Sequence, residues 1–449
     1  MKSVSRTTRG DTVTHGGLAT NVWTLTWPNV ISQLLFMLPG VYDAVWLGRL
    51  GHTAQAAAGL ATSVRLTMVS VLMSLSLSSG AVVARYVGAR EQEKADRAAM
   101  QAVILMVLAS GSLGAVGFVF SRPLMLLAGA DADVLPLAVR YARILFAGLV
   151  AMELVPSVGF MLNGAGAPRV MMQMTFCSMA TLLVGEPLLV NWLGLEGAVL
   201  AVVLSNVAGM CWGLGVLVAG KTTVHVNLRH LRLDWSMMGR ILRVALPGIV
   251  QRGAPNLAMS VLMRLIAAQG APTLAAWTVT QRIFNLVMIP SLGLSRATPA
   301  MVGQNLGAER PERAERAVYL IARLVMLIGG GLVGLLALCA PLIIPLFSSD
   351  VETAAIGVYL LRILGLGYLA LNVNYVFDAA LSGAGDTVSP MTLNLLSLWL
   401  VQIPLAYWLS RGVGWGANGI WLGLSLGWVL QMGLMWLRFR QGRWKVYKI

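Results

Sequence analysis

The residues of this chain able to do chemistry are ionisable groups set inside long apolar stretches. Asp43, Glu153, Glu186 and Asp378 are the acids so placed, and Arg65, Arg264 and Arg282 the bases; Gln33, Gln251, Asn256 and Asn372 are neutral polar groups in similar surroundings. A charged side chain at the centre of a bilayer costs about 2.5–3.5 kcal/mol, so each such group faces a cavity, pairs with a partner or is neutralised. A nearby arginine favours the ionised carboxylate and burial favours the protonated one, so an acid poised between the two can load and release a proton. Other chemistries lack their residues. His15, His52, His225 and His230 lie in loops or tails, and Cys177, Cys211 and Cys339 sit unpaired inside apolar runs. Neither a His-Glu-x-x-His pattern nor a nucleotide-binding glycine loop with lysine occurs. The expectation is therefore no enzyme activity, no ATP drive, no metal and no cofactor.

The elements that must position these groups follow from composition. Of 449 residues 57% are hydrophobic and mean hydropathy is +0.75, against roughly 45–50% apolar usage in soluble domains. Runs of about 20 apolar residues, enough to cross about 30 Å of hydrocarbon as helix, fall at 20–47, 53–84, 98–120, 135–161, 170–193, 197–219, 244–268, 273–298, 317–345, 353–380, 388–410 and 419–437. The chain reads as an all-α integral membrane protein of about twelve transmembrane helices. Its net charge of +15 sits in particular loops rather than one patch, which marks topology and not a nucleic-acid partner. Lys221, Arg229, Arg232, Arg240 and Arg243 fill the central connection; Arg85, Arg90, Lys94 and Arg97 flank the second; Arg438, Arg440, Arg443, Lys445 and Lys448 close the chain. Asp131, Asp133, Asp350 and Glu352 occupy connections between them. By the positive-inside rule the basic segments and both termini face the cytoplasm. The leader up to Gly17, with Lys2, Arg6 and Arg9, lacks a signal-peptide pattern and is expected to stay uncleaved. Trp192, Trp408, Trp415 and Trp421 lie near proposed outer ends, as an interfacial aromatic belt would.

The chain repeats itself at a shift of 219 positions, without a gap between matching blocks. Gly88, Ala89, Glu93, Ala95, Arg97 and Ala98 fall on Gly307, Ala308, Glu312, Ala314, Arg316 and Ala317; Arg143, Ile144, Leu145 and Gly148 fall on Arg362, Ile363, Leu364 and Gly367. Leu162, Gly164, Ala165 and Gly166 fall on Leu381, Gly383, Ala384 and Gly385, and Pro28 meets Pro247. Six spans per unit, an even number, make the halves parallel repeats. The division is a cytoplasmic tail at 1–19, a six-helix lobe at 20–219, a basic linker at 220–243, a second six-helix lobe at 244–437 and a basic tail at 438–449. Within the linker, Trp235, Met237, Met238 and Ile241 suit either an amphipathic stretch on the inner leaflet or a plain connecting helix.

Depth along the spans brings some of the polar residues together. Asp43 lies about 34 Å into the first span and Glu186 about 24 Å into the fifth, counted from the same side, so both fall in the outer half. Arg65 enters from outside and reaches similar depth, within range of an ion pair with either acid. Glu153, matched by Asn372 in the repeat, is a candidate to line a path. Asp378 either lines it as well or caps the turn at Ser382, and Arg282 beside Gln281 lines a cavity or makes a structural pair. Arg264 reads as a snorkelling end residue, and the recurrence of Arg143 and Arg362 reads as architecture. Pro28 removes a backbone hydrogen bond to Thr24 and either hinges the first span or kinks it rigidly.

An early helix proline, an aspartate before a glycine-containing helix end and twin Leu-x-Gly-Ala-Gly turns form an ordered pattern over nearly the whole chain. The text is Pro28, Asp43 and Gly48; Ala84, Arg85 and Gly88; Leu162 to Gly166; Glu186-Pro187; Pro247; and Leu381 to Thr387. This resembles the multidrug and toxic compound extrusion (MATE) family. The resemblance implies two lobes around a central cavity, alternating access, and export of organic, cationic amphiphilic compounds driven by protons or sodium. It also implies a monomer in the bacterial inner membrane. In one bacterial branch, acids in helices one and five form a cation or proton site, matched here by Asp43 and Glu186. That branch has aspartate before the helix-five proline and an asparagine four residues earlier; here those positions hold Glu186 and Leu182. Losing the asparagine removes an oxygen ligand, and hard cations want several, so protons are favoured over sodium. Another branch carries a glutamate in helix seven, where this chain has Gln251, Arg252 and Asn256. The nearest rivals are a lipid-linked saccharide flippase of the same superfamily, whose cavity should be strongly cationic, and an integral membrane enzyme.

Overall fold

A computed structural model describes residues 13–220, 222–225, 232–347 and 350–447, the side chain of Asn256 apart. Lys2, Arg6, Arg9, Lys221, Arg229, His230 and Lys448 lie outside the described residues, as does the side chain of the candidate Asn256. Among the described residues the structure is helical throughout, with no strand. Apolar surroundings leave a backbone no water to bond, so each span satisfies its amides internally. The helices are α1 (Leu18–Arg49), α2 (His52–Gly88), α3 (Gln92–Val119), α4 (Ser121–Leu127), α5 (Leu135–Ala147), α6 (Leu149–Gly164), α7 (Pro168–Leu193) and α8 (Leu195–Val218). They continue as α9 (Trp235–Ala267), α10 (Ala271–Gly307), α11 (Pro311–Ile343), α12 (Val351–Ala384), α13 (Val388–Gly412) and α14 (Gly416–Arg440). Nine of these are long and apolar enough to cross a membrane, and a tenth span is α5 with α6, bent by 46° at Gly148. Of spanning length too are α9 and α10, with 33 and 37 residues, but arginines such as Arg252, Arg264, Arg282 and Arg296 interrupt them. These complete the twelve.

The chain divides into two compact units. Unit 1 is Met1–Leu246 with Gly303–Arg310; unit 2 is Pro247–Val302 with Pro311–Ile449. The segment from 303 belongs to unit 1 through backbone contact: a Cβ on Gly88 would stand 2.1 Å from the Gln304 carbonyl oxygen, and one on Gly307 2.2 Å from that of Arg85. Within unit 1, Arg310 donates to the Thr14 carbonyl at 2.8 Å and Asn21 to that of His15 at 2.7 Å, so the segment before α1 is tied down.

The twin turns show why their sequence is repeated. The last glycine of each, Gly166 and Gly385, has φ of +83° and +95°, which glycine adopts without strain. The middle glycine lets backbones touch: a Cβ on Gly164 would lie 2.2 Å from the Gly80 oxygen, and one on Gly383 2.6 Å from the Pro299 Cα. Arg143 donates to Ser121 at 3.3 Å, and Arg362 to the Ala337 carbonyl at 3.1 Å, each pinning its helix to the one before it.

One open reading closes and one expectation changes. Trp235 to Ile241 are the first turns of α9, the connecting helix of the two readings, with Met237, Met238 and Ile241 buried and Trp235 exposed. Trp421 is no belt residue: it is fully buried in unit 2, stacked on Trp277 at 5.3 Å. Trp192, Trp408 and Trp415 are exposed. Arg264 is exposed at the last turn of α9.

Candidate functional site

In unit 1 the two acids of α1 and α7 meet. The Asp43 and Glu186 carboxyls interact through space without a well-formed hydrogen bond: Asp43 Oδ1 and both Glu186 oxygens are buried with no partner in bonding geometry among the described residues. Glu186 itself is fully buried. Tyr42, next to Asp43, donates its hydroxyl to the Leu183 carbonyl at 3.1 Å, which ties α1 to α7 at this depth. Leu182 is buried among Met179 and Ala201, with Tyr42, Leu189 and Val202 packed around, so apolar carbon fills its position.

Two residues that sequence reasoning missed complete the surroundings. Tyr141 on α5 is buried, lies against Thr62 of α2, and is within Coulombic reach of Asp43, Glu186 and Arg65. The repeat register carried the signal for Tyr141, which falls on Leu360 as Asp43 and Glu186 fall on Leu262 and Leu405; Thr62 falls on Gln281, also polar, and carries none. Positions where matched halves differ in polarity are where each half does its own work.

Arg65 does not pair with Asp43 or Glu186. It reaches Glu153 of α6 at 3.2 Å, and Glu153 is buried. Sequence gives depth along a helix more reliably than direction around it. Gln33 is partly buried with its Oε1 unpartnered among the described residues. Pro28 is buried in a continuous α1, and its carbonyl accepts from Ser32 Oγ at 2.8 Å.

Unit 2 holds a different polar group. Asp378 Oδ2 accepts from Gln251 at 2.7 Å and from Asn394 at 3.2 Å, and Oδ1 accepts from Ser382 at 3.3 Å. Asn394 is held by Gln431, which in turn accepts from Gln402 at 2.9 Å. Asp378 thus bonds the Ser382 hydroxyl as the turn reading expects, together with two further donors. Asn372 is fully buried with neither amide atom partnered among the described residues. Arg282 is exposed and makes no ion pair or hydrogen bond with the described residues. Its neighbour Gln281 instead accepts from the Tyr368 hydroxyl, and Tyr368 stacks on Phe284 at 3.8 Å. Phe284 is the register partner of Arg65, so the ion pair of unit 1 has an aromatic cluster as its counterpart.

Comparison with known proteins agrees with this architecture. The chain is 24% identical over 437 residues to the probable multidrug resistance protein YpnP of Bacillus subtilis (strain 168), covering 94% of this chain and 97% of that one. It is 25% identical over 390 residues to a FAD transporter of Shewanella oneidensis, covering 84% and 85%. A crystal structure of MATE in the bent conformation superposes with a TM-score of 0.91 at 25% identity, over 98% of this chain and 99% of that one. The MatE family model matches residues 28–188 and 247–408, one block in each half of the repeat. With these matches and the two-half helical architecture together, the chain belongs to the MatE family, the multidrug and toxic compound extrusion transporters.

Proposed function

We propose that this transporter exports organic, cationic amphiphilic compounds by alternating access in exchange for protons, with the Asp43–Glu186 pair holding the exchanged proton. The carrying observation is that pair: two carboxyls facing each other in a buried setting. Two negative charges so close, away from water, are far less favourable than a pair sharing one proton. An arriving organic cation favours the doubly ionised pair, so binding it releases the proton and rebinding a proton expels it.

Protons are favoured over sodium because Leu182 presents apolar carbon where an amide oxygen would add a ligand for a hard cation. The YpnP relative is described as a probable multidrug resistance protein, which supports drug export. The Shewanella relative is described as a FAD transporter, so cargo differs among relatives. We place the protein in the bacterial inner membrane with both termini cytoplasmic, because the basic connections lie on one side of the spans.

The test is accumulation of a fluorescent organic cation in inside-out vesicles under an imposed proton or sodium gradient. Accumulation driven by protons supports the reading; accumulation driven by sodium alone overturns the coupling, and none across a panel of cations overturns export.

A further inference from the structure

The first turns of α9, which belong to unit 1, carry two unlike rows side by side. Helical residues three, four or seven apart share one side, so Trp235, Leu242 and Leu246 form an apolar row and Ser236, Arg240 and Arg243 a polar one next to it. All six are exposed. The opposite side, with Ile241, Val244 and Ala245, is buried. Ser74 of α2 donates to the Ala245 carbonyl at 2.7 Å, and Arg240 to the Tyr86 hydroxyl of α2 at 2.6 Å, so α2 holds this stretch in place. Gly239 lies between the two rows, and a Cβ there would meet nothing within 4 Å, which leaves an open notch.

The arginines of the polar row have no acid to meet. Neither α9 nor α2 contains an aspartate or glutamate. The acid just before α9, Asp234, accepts from the Met237 amide at 3.0 Å and faces Arg97 at 3.9 Å. Arg243 makes no ion pair or hydrogen bond with the described residues, and the Tyr86 bond takes one of the five N–H donors of Arg240. Other basic residues of the connections and tail are matched: Lys94 with Glu91 at 3.0 Å, Arg438 with Asp386 at 2.8 Å and Lys445 with Glu315 at 2.6 Å. Nor does the row belong to the duplicated scaffold. Arg240 and Arg243 fall on Asn21 and Thr24 of the first half, whose side chains donate to backbone carbonyls of their own segment, those of His15 and Thr20.

We propose that the notch at Gly239 binds one anionic phospholipid, its phosphate on Arg240 and Arg243 and its acyl carbon along Leu242 and Leu246. Exposed apolar side chains of a spanning helix lie against acyl chains, and tryptophan sits best where hydrocarbon gives way to headgroups, which is the place of Trp235 at the start of the apolar row. Guanidiniums match phosphate oxygens two at a time. Arg243 immediately precedes the apolar run that begins at 244, so the guanidiniums and the lipid phosphates share one level. Two positive charges without an acid select a headgroup of net negative charge, phosphatidylglycerol over phosphatidylcholine. The site requires only that the chain spans a bilayer, whatever its cargo or coupling ion.

Native mass spectrometry of the full chain, released from detergent, counts the lipids held as phosphatidylglycerol, or phosphatidylcholine with the same acyl chains, is titrated in. The variants are Arg240→Gln, Arg243→Gln, the two together, Gly239→Leu, which fills the notch without changing charge, and Arg316→Gln, which removes an exposed arginine of α11. A basic residue beside an anionic lipid strengthens binding roughly fivefold. The native chain is expected to hold one phosphatidylglycerol about thirtyfold more tightly than phosphatidylcholine, each single glutamine variant to lose about fivefold, and the double variant to lose the preference. Gly239→Leu should weaken the lipid, and Arg316→Gln should leave it unchanged. A preference that survives the double variant, or that falls as much with Arg316→Gln, is a diffuse attraction to net charge and overturns the site. Unchanged binding by Gly239→Leu overturns the placement between the two rows. Displacement of the lipid by inorganic phosphate at the lipid's own concentration makes a free anion the occupant and overturns the lipid. Melting temperatures in lipid-free detergent close to native show that folded proteins are compared; if Arg240→Gln unfolds with its Tyr86 bond gone, Arg243→Gln and Gly239→Leu decide.

Discussion

Removing Arg65 should unsettle unit 1 far more than removing a surface charge would. The Arg65 and Glu153 side chains are 19% and 4% exposed, so the worth of about 0–1 kcal/mol typical of surface pairs does not apply. Truncating one partner of a buried pair costs about 3–5 kcal/mol, because the other charge is left without compensation. Glu153 cannot turn to water, being carried on α6 between Met152 and Leu154, both buried. Arg65 is the more exposed partner, which puts Arg65→Ala at the lower end, about 3 kcal/mol, or roughly a hundredfold in the unfolding equilibrium. The double variant Arg65→Met with Glu153→Met, which replaces the pair by apolar groups, should lie within about 1 kcal/mol of native or above it. Equilibrium unfolding in mixed micelles, followed by tryptophan fluorescence, gives the whole cycle. A single variant as stable as the native chain, or a double variant as unstable as the single, refutes the assignment of a buried, mutually dependent pair.

Further outcomes follow from other contacts. Gly164→Ala, whose Cβ would lie 2.2 Å from the Gly80 oxygen, should destabilise the protein by about 1–3 kcal/mol; Gly215→Ala, with open space around it, should be neutral or stabilising by up to about 1 kcal/mol. Thermal unfolding separates the two. The Asp350 carboxyl is held below the usual aspartate value of 3.8 by hydrogen bonds from the Thr353 hydroxyl and amide. This cap on α12 should therefore be fully present above that value and lost as pH falls through the lowered one, with Asp350→Asn removing the pH dependence. Amide exchange at Thr353 and Ala354 is the readout, and identical acid profiles for variant and native would contradict it. Leu182→Asn should introduce a sodium dependence of transport, at about 1–3 kcal/mol of stability for burying the amide; transport still indifferent to sodium would show that residue 182 does not select the ion.

The parts of this fold legible in the sequence were those where backbone geometry dictates residue type. The two Leu-x-Gly-Ala-Gly turns were visible because the same close approach and the same left-handed residue are needed twice. Asp43 and Glu186 were placed in the same outer half by depth, since rise per residue is fixed, and were joined into one site by the family resemblance. The partner of Arg65 was not, because similar depth admits several directions around α2, and α6 rather than α1 or α7 lies where it points. Tyr141 and Thr62 escaped because such residues are unremarkable in an apolar span; contrast with Leu360 marks Tyr141, while Thr62 faces a polar counterpart, Gln281. Trp421 was misplaced for a related reason: a tryptophan near a helix end suits an interface and a core equally, and Trp277 decides for the core. Arg296 lay two residues from the expected end of its span, where an arginine passes as a snorkelling end residue; α10 runs on to Gly307 and puts it inside.

The central claim is that the Asp43–Glu186 pair holds the proton exchanged for the transported cation. Proton release on adding substrate to purified protein in a weakly buffered detergent solution, followed by a pH dye, tests it without any gradient. The account predicts release of up to about one proton per protein for the native chain, and none for Asp43→Asn or Glu186→Gln at saturating substrate. Undiminished release from both variants, or binding by the native chain with no release at all, would contradict it.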